Sequence, residues 1–311
     1  MVWKKYDFNF NINQLTDTYY SHATVPTPIV LDRNRLRVLF SSRDKENRNR
    51  IYRVDLNISD KVEIVEQPYT PVLDLGLPGY FDCDGLYGTS IVKNGDELFL
   101  YYAGWNAGLN GYFYSNIGVA VSRDNGLTFE RKSNAPILSR DEIDPWACMA
   151  PFVSRIAKDE WRMWYTSGVK LWSETSGGIK SLYDIKTATS RDGIIWLKTG
   201  KTAIALGDET TNIARPCVIQ SAGGFEVWYP YVNSKNDGYL IGYGVSDDGY
   251  HFQRLDDAQE AMLRPDSKIE WHSKEVTYPH VFIMNGRKLM LFNGNGFGKT
   301  GFGLAEWQSK T

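Results

Sequence analysis

The sequence predicts an all-β fold, a single five-bladed β-propeller spanning residues 1–311. Three observations predict it. A short frame recurs five times: Pro28-Ile29-Val30, Ser90-Ile91-Val92, Pro151-Phe152-Val153, Pro216-Cys217-Val218 and Pro279-His280-Val281, in steps of 62, 61, 65 and 63 residues. Each copy runs through a tight turn into an apolar strand carrying an aromatic: Phe40, Tyr102, Tyr165, Tyr229 and Phe292. Finally, the fifth unit is one strand short, and the N-terminus has one to spare. A fixed period of this length marks a repeat architecture.

Within each unit the first strand is the inner one. A short polar turn follows, such as Lys93-Asn94-Gly95-Asp96 or Asn285-Gly286. Asn-Gly pairs favour hairpins because both residues tolerate positive φ. The second strand alternates, as in Trp161-Arg162-Met163-Trp164-Tyr165, which buries one face. The third is built of small and β-prone residues: 117–122, 185–190 and 241–246. A turn containing Asp124, Asp192 or Asp248 leads to a fourth strand bearing Phe129, Trp196 or Phe252. These turns resemble the Asp-box of sialidases and other propellers. Their reading is structural, an Asp side chain bonding nearby backbone amides. The fifth unit stops after its third strand, residues 300–305. Residues 2–8 alternate as Val-Trp-Lys-Lys-Tyr-Asp-Phe, so the N-terminal strand is expected to complete the last blade and close the ring.

Bulk properties narrow the function. Hydrophobic residues make up 42% of the chain and charged residues 23%, with a net charge of −2. This gives no electrostatic footprint for nucleic acid or an anionic membrane. No stretch approaches the ~18–20 apolar residues of a membrane span. The first residues lack the apolar run of a signal peptide. Cys83, Cys148 and Cys217 are too few and too widely spaced for a disulfide framework, so reduced thiols and a cytoplasmic location are expected. The four histidines form no i,i+4 ligand pair, and neither a metal nor another cofactor is expected.

Loop lengths place the chemistry. The second-to-third connections (residues 43–50, 105–116 and 169–184) and the connections between units are long and share one end of a four-stranded meander. Function concentrates on such loops. The connections between units bring acids to a repeated register: Asp82 and Asp84 before Ser90, Asp144 before Pro151, Glu209 before Pro216, Glu275 before Pro279. Unit one has Ser21 and His22 there instead. Four units are thus expected to aim a carboxylate at one axial pocket, where mutual repulsion and burial would raise some of their pKa values. Asp84, Asp144, Glu209 and Glu275 are the catalytic candidates. Arg215 and Tyr278 share the slot immediately before the proline, where an arginine could bind a carboxylate, a phosphate or sugar hydroxyls. Trp105, Trp146 and Trp172 are candidates to stack on sugar rings. His22, Asp82 and Arg43, the last in the charged segment 43–50, complete the binding set. That segment could also grip a phosphate.

Inner strands entered by axial acids resemble the five-bladed glycoside hydrolase superfamily of families 32, 43, 62, 68 and 130, in a branch associated with bacterial surface-polysaccharide loci. The resemblance implies three carboxylates from different blades, best matched by Asp84, Asp144 and Glu209. It departs from families 32 and 43 at residues 20–26, where the first-blade acid is missing. The reading that follows is a carbohydrate-active, glycosidase-like enzyme acting on a small saccharide or glycan, one carboxyl protonating the leaving oxygen and another activating water or attacking C1. The missing acid and missing export signal speak for a second reading, a cytosolic glycosyl- or sugar-phosphate transferase binding a sugar nucleotide. A third is a carbohydrate-binding propeller without turnover.

Overall fold

A computed structural model describes residues 2–12, 14–109, 112–173, 179–208, 210–233, 238–255 and 259–309. The fold is all-β. The chain begins with β1 (Val2–Lys5), and four antiparallel meanders follow. The first is β2 (Ser21–Val30), β3 (Arg35–Arg43), β4 (Asn49–Ile58) and β5 (Val62–Glu66). The second is β6 (Gly85–Asn94), β7 (Glu97–Ala107), β8 (Phe113–Ser122) and β9 (Glu130–Arg131). The third is β10 (Cys148–Ala157), β11 (Glu160–Ser173), β12 (Ile179–Ser190) and β13 (Trp196–Ile204). In the fourth, β14 (Thr210–Ile213) and β15 (Cys217–Ser221) both pair with β16 (Gly224–Asn233), ahead of β17 (Leu240–Ser246) and β18 (Gln253–Arg254). The last sheet is β19 (Thr277–Met284), β20 (Arg287–Asn293) and β21 (Phe302–Gln308), with β1 along its edge.

The spare N-terminal strand therefore lies where the sequence expected it. Val2 pairs with Gln308 and Lys5 with Ala305. Phe10 bridges to Phe302 and is fully buried. The strand is shorter than residues 2–8, and β21 extends past 305 to meet it.

Two devices repeat between neighbouring meanders. The strands that open each meander contact one another in succession: β2 with β6, β6 with β10, β10 with β15, β15 with β19, and β19 with β2. The Asp-containing turns dock on the preceding meander. The Tyr101 hydroxyl donates to the Gly193 carbonyl at 2.9 Å, Trp164 Nε1 to the Gly249 carbonyl at 2.7 Å, and Arg37 Nη1 to the Asn125 carbonyl at 2.7 Å. Within the turns, Asp124 accepts from the amides of Leu127 and Thr128, Asp192 from Ile194 and Ile195, and Asp248 from Tyr250 and His251. Their expected structural role holds.

The long second-to-third connections are not irregular loops. Residues 105–107 pair with 113–115, and Ser173 pairs with Ile179 at the far end of β11 and β12. These segments are hairpin arms that extend the sheets, because alternating β-formers such as Val169, Leu171, Ile179 and Leu182 continue the ladder.

Candidate functional site

The slot before the inner-strand proline organises the site. Ala150, Arg215 and Tyr278 hold φ of 43°, 35° and 50° there, and Val25 holds 58° two residues before its slot. A left-handed φ on a non-glycine residue costs of order 1–3 kcal/mol and persists only where its surroundings impose it. The register breaks at the same place: between Met149 and Phe152, between Thr277 and His280, and between Gly88 and Ser90. These are bulges, which turn a side chain out of the ladder. Hydrogen bonds to the next unit hold the slots in place. Thr27 Oγ1 donates to the Gly88 carbonyl at 2.9 Å, and Thr89 Oγ1 to the Pro151 carbonyl at 2.6 Å. Arg215 Nη1 donates to the Tyr278 carbonyl.

The bulged residues open onto a cavity of about 520 Å³, within the range of small-molecule sites. Val25, Thr89, Ala150, Arg215 and Tyr278 line it, one from each repeat unit. Aromatic rings recur in the wall: Tyr87, Trp105, Tyr112, Phe113, Tyr183 and Tyr239. Burial raises the phenol pKa values of Tyr87, Tyr239 and Tyr278, so these hydroxyls keep their protons. Thr89 and Ala150 were legible from the slot they share with Arg215. Tyr278 was a candidate from that slot, whereas Tyr87, Tyr183 and Tyr239 were not legible, because an aromatic in a β-strand is more often core.

Arg215 is 2% exposed. Its Nη2 donates to the Pro26 carbonyl at 2.8 Å, Thr27 Oγ1 at 3.0 Å and His280 Nδ1 at 3.2 Å. Nη1 reaches the carbonyls of Tyr278 and Pro279. Its Nε has no partner. Among the described residues no carboxylate pairs with it. Burial lowers its pKa to about 10, which leaves it cationic at neutral pH.

The expected convergence of acids requires correction. No carboxylate lines the cavity among the described residues. Asp144 is fully buried and spoken for: Tyr165 Oη donates to it at 2.8 Å, and Ser167 Oγ and the ammonium groups of Lys186 and Lys198 close on its other lone pairs. Burial alone would raise its pKa, but Lys198, Ser167 and Tyr165 outweigh that and hold it below the ordinary carboxylate range. Its own charge helps burial raise the pKa of Asp184. Asp82 repeats the pattern one unit earlier. It is fully buried and accepts from Tyr102 Oη at 3.1 Å and Arg131 Nε at 2.8 Å. Both are ties across their own sheets, and neither lines the cavity. Asp84 is at the rim, where its Oδ2 accepts from the amide of Ala107, a lining residue, at 2.8 Å. Glu275, 7% exposed, accepts from the Phe297 amide at 3.1 Å and from the Tyr239 amide. Burial raises its pKa despite those bonds, and its charge is felt by the phenols of Tyr239 and Tyr278. Glu209 lies outside the described residues.

Of the remaining candidates, Trp105 and Tyr278 line the cavity, whereas Trp146 packs behind it at 5.3 Å from Phe113 and 5.5 Å from Tyr183. Trp172 is on the hairpin arm. Arg43 faces the Tyr87 phenol. His22 bonds Ser21 Oγ, and burial with the nearby charges of Arg43 and Lys299 lowers its pKa to about 4. His22 does not line the cavity. The phosphate grip at residues 43–50 is corrected too: Asp44 takes Arg48 and Arg50, and Arg50 also takes Asp74, so these cations are already neutralised. Among the described residues no cluster of histidine, cysteine and acid side chains could hold a metal.

The fold is that of the propeller glycoside hydrolases. A solved glycoside hydrolase superposes with a TM-score of 0.71 at 13% identity, over 98% of this chain and 93% of its own. A thermostable family-43 glycoside hydrolase gives 0.67 at 11% identity, over 97% and 94%. A structure from the family-130 mannoside phosphorylases, a family containing glycoside hydrolases that target β-1,2 mannosidic linkages in Candida mannan, gives 0.67 at 13%, over 99% and 94%. Such distant identities carry the fold alone. No family model matches the chain. In sequence it is 36% identical over 306 residues to the uncharacterized protein MT1551 of Mycobacterium tuberculosis strain CDC 1551 / Oshkosh, covering 98% of this chain and 99% of that one. It is 35% identical, with the same coverage, to the uncharacterized protein Rv1502 of strain ATCC 25618 / H37Rv. The chain belongs to the family of these mycobacterial proteins.

Proposed function

We propose that the chain is a carbohydrate-active, glycosidase-like enzyme and that the aromatic cavity takes its saccharide. The supporting observation is the cavity wall: every repeat unit contributes to it, with rings and hydroxyls from units two to five and Val25 from unit one, set on the fold of glycoside hydrolases. Aromatic faces attract the polarised C–H faces of a sugar ring, and the phenol hydroxyls donate to its oxygens. In this reading the successive sheets are the blades of a single five-bladed propeller. The contacts of the opening strands support the ring, and the pairing of β1 with β21 supports its closure.

Glu275 is the proton donor of the proposed reaction: it stands behind the lining phenols of Tyr239 and Tyr278, which feel its charge, and burial raises its pKa in the direction an acid needs. The glycosidic C1–O bond breaks as the leaving oxygen takes that proton. Water adds at C1, and its proton passes to Asp84, the carboxylate at the rim. Glu209 is an alternative acceptor from the same sequence register. The second reading, a cytosolic glycosyl- or sugar-phosphate transferase, has one specific observation behind it: among the described residues the cavity lining holds a cation and no carboxylate.

The test is incubation with a pool of oligosaccharides, followed by chromatography for new reducing ends. Release that falls by ~10²–10⁴-fold in Glu275→Gln supports the enzyme. Saccharide retained without cleavage would leave a binding propeller. Transfer to an acceptor only when a sugar nucleotide is added would establish the second reading.

A further inference from the structure

We propose that the ligand of this cavity is anionic, a saccharide carrying a carboxylate or phosphate group that Arg215 recognises. The inference rests on the cavity being the saccharide site. A buried guanidinium without a counter-ion is costly, and buried charges are paired as a rule. Arg215 is nine-tenths buried and more, lines the cavity, and is held by carbonyls, a hydroxyl and a neutral imidazole. These satisfy its N–H groups in part but leave its charge uncompensated. Its Nε–H has no acceptor at all.

The rest of the wall has the same bias. The phenols of Tyr87, Tyr239 and Tyr278 are held protonated and can donate. Glu275, whose charge is felt by Tyr239 and Tyr278, is directed to the amides of Phe297 and Tyr239. Donors and a fixed positive charge thus belong to residues that line a largely apolar cavity. A neutral sugar would satisfy the donors and leave the charge. A uronic acid or a sugar phosphate would satisfy both, an anionic oxygen taking the unpartnered Nε–H and offsetting the charge.

Two measurements on the full chain test this. Titration calorimetry compares glucuronate, glucose 1-phosphate and glucose against the wild type, Arg215→Met and Arg215→Lys. Quenching of the Trp105 fluorescence, isolated by subtracting Trp105→Phe, compares iodide with caesium at equal ionic strength. The expected result is at least tenfold tighter binding of one or both acidic sugars than of glucose, with stronger quenching by iodide. Arg215→Met should abolish both preferences, and Arg215→Lys should keep a reduced one. Preference for glucuronate would assign a carboxylate, and preference for glucose 1-phosphate a phosphate ester. Because Arg215→Met may fail to fold, the wild-type comparison decides by itself. Equal binding of glucose would overturn the anionic ligand and leave the saccharide reading standing. Iodide preference relieved by inorganic phosphate, with no sugar bound, would support the anion site and count against the saccharide reading. Equal quenching with no sugar bound would overturn both.

Discussion

Arg215 donates from Nη2 to Nδ1 of His280 at 3.2 Å. The imidazole must offer a lone pair there, so its proton sits on Nε2. Burial and the adjacent guanidinium hold the His280 pKa well below its ordinary value. The two residues belong to successive repeat units and fix one another beside the cavity.

This pair makes acid stability specific. The folded pKa of His280 is depressed, so its contribution is intact above the unfolded value of about 6.5 and is lost as pH falls below it. The loss is about 1.4 kcal/mol per pH unit for as long as the folded state stays unprotonated. His280→Asn keeps an acceptor and removes the titration. It should flatten the fall in stability between pH 7 and pH 5, as read by urea denaturation at each pH.

Asp144 should prove a structural tie. Asp144→Asn takes from Lys198 and Lys186 the buried carboxylate they share, leaving them Asp141 and Asp184, and breaking a buried pair costs up to about 3–5 kcal/mol. The melting temperature should drop sharply. Because the carboxyl is held below its ordinary range, its contribution should be present above pH ~4 and be lost as the pH falls through the folded value. Unchanged stability with lost turnover would restore its catalytic reading.

The sequence carried the architecture because period and alternation are backbone properties. The spacing from Pro28 to Pro279, the Asp-containing turns and the spare N-terminal strand each had one physical reading. The acids of the connections did not. Asp82 and Asp144 recur in register because each sheet needs its own tie to Tyr102 and Arg131, or to Tyr165 and Lys198. Sequence spacing cannot tell a repeated tie from a repeated catalytic role, since the partners lie 20 to 54 residues away. Arg215 was visible from its slot, but its lack of a carboxylate partner depends on how three units pack together.

Removing residues 1–10 should unfold the protein or strongly lower its melting temperature. The deletion takes away the ladder to β21, the buried Phe10 and the Trp3 ring packed on Trp228 at 6.1 Å. It also exposes an unpaired edge. Circular dichroism melts check this, and an unchanged melt would contradict closure by β1.

Glu275 should respond in the opposite sense to Asp144. Its folded pKa is raised, so ionising it costs stability once the pH rises above the unfolded value of about 4.3. Glu275→Gln should therefore keep or raise the melting temperature at pH 7 and lose that advantage below pH 4. A large destabilisation at pH 7 would make the carboxylate a structural acceptor for the Phe297 and Tyr239 amides.

The most direct test of the cavity as a saccharide site is a glycan array probed with the wild type and with Trp105→Ala, which removes a wall ring without touching Arg215. The account predicts retention of a defined set of glycans, enriched in acidic ones, with at least a tenfold loss in Trp105→Ala. Retention that survives the substitution would place binding elsewhere, and no retention of any glycan would contradict the saccharide site.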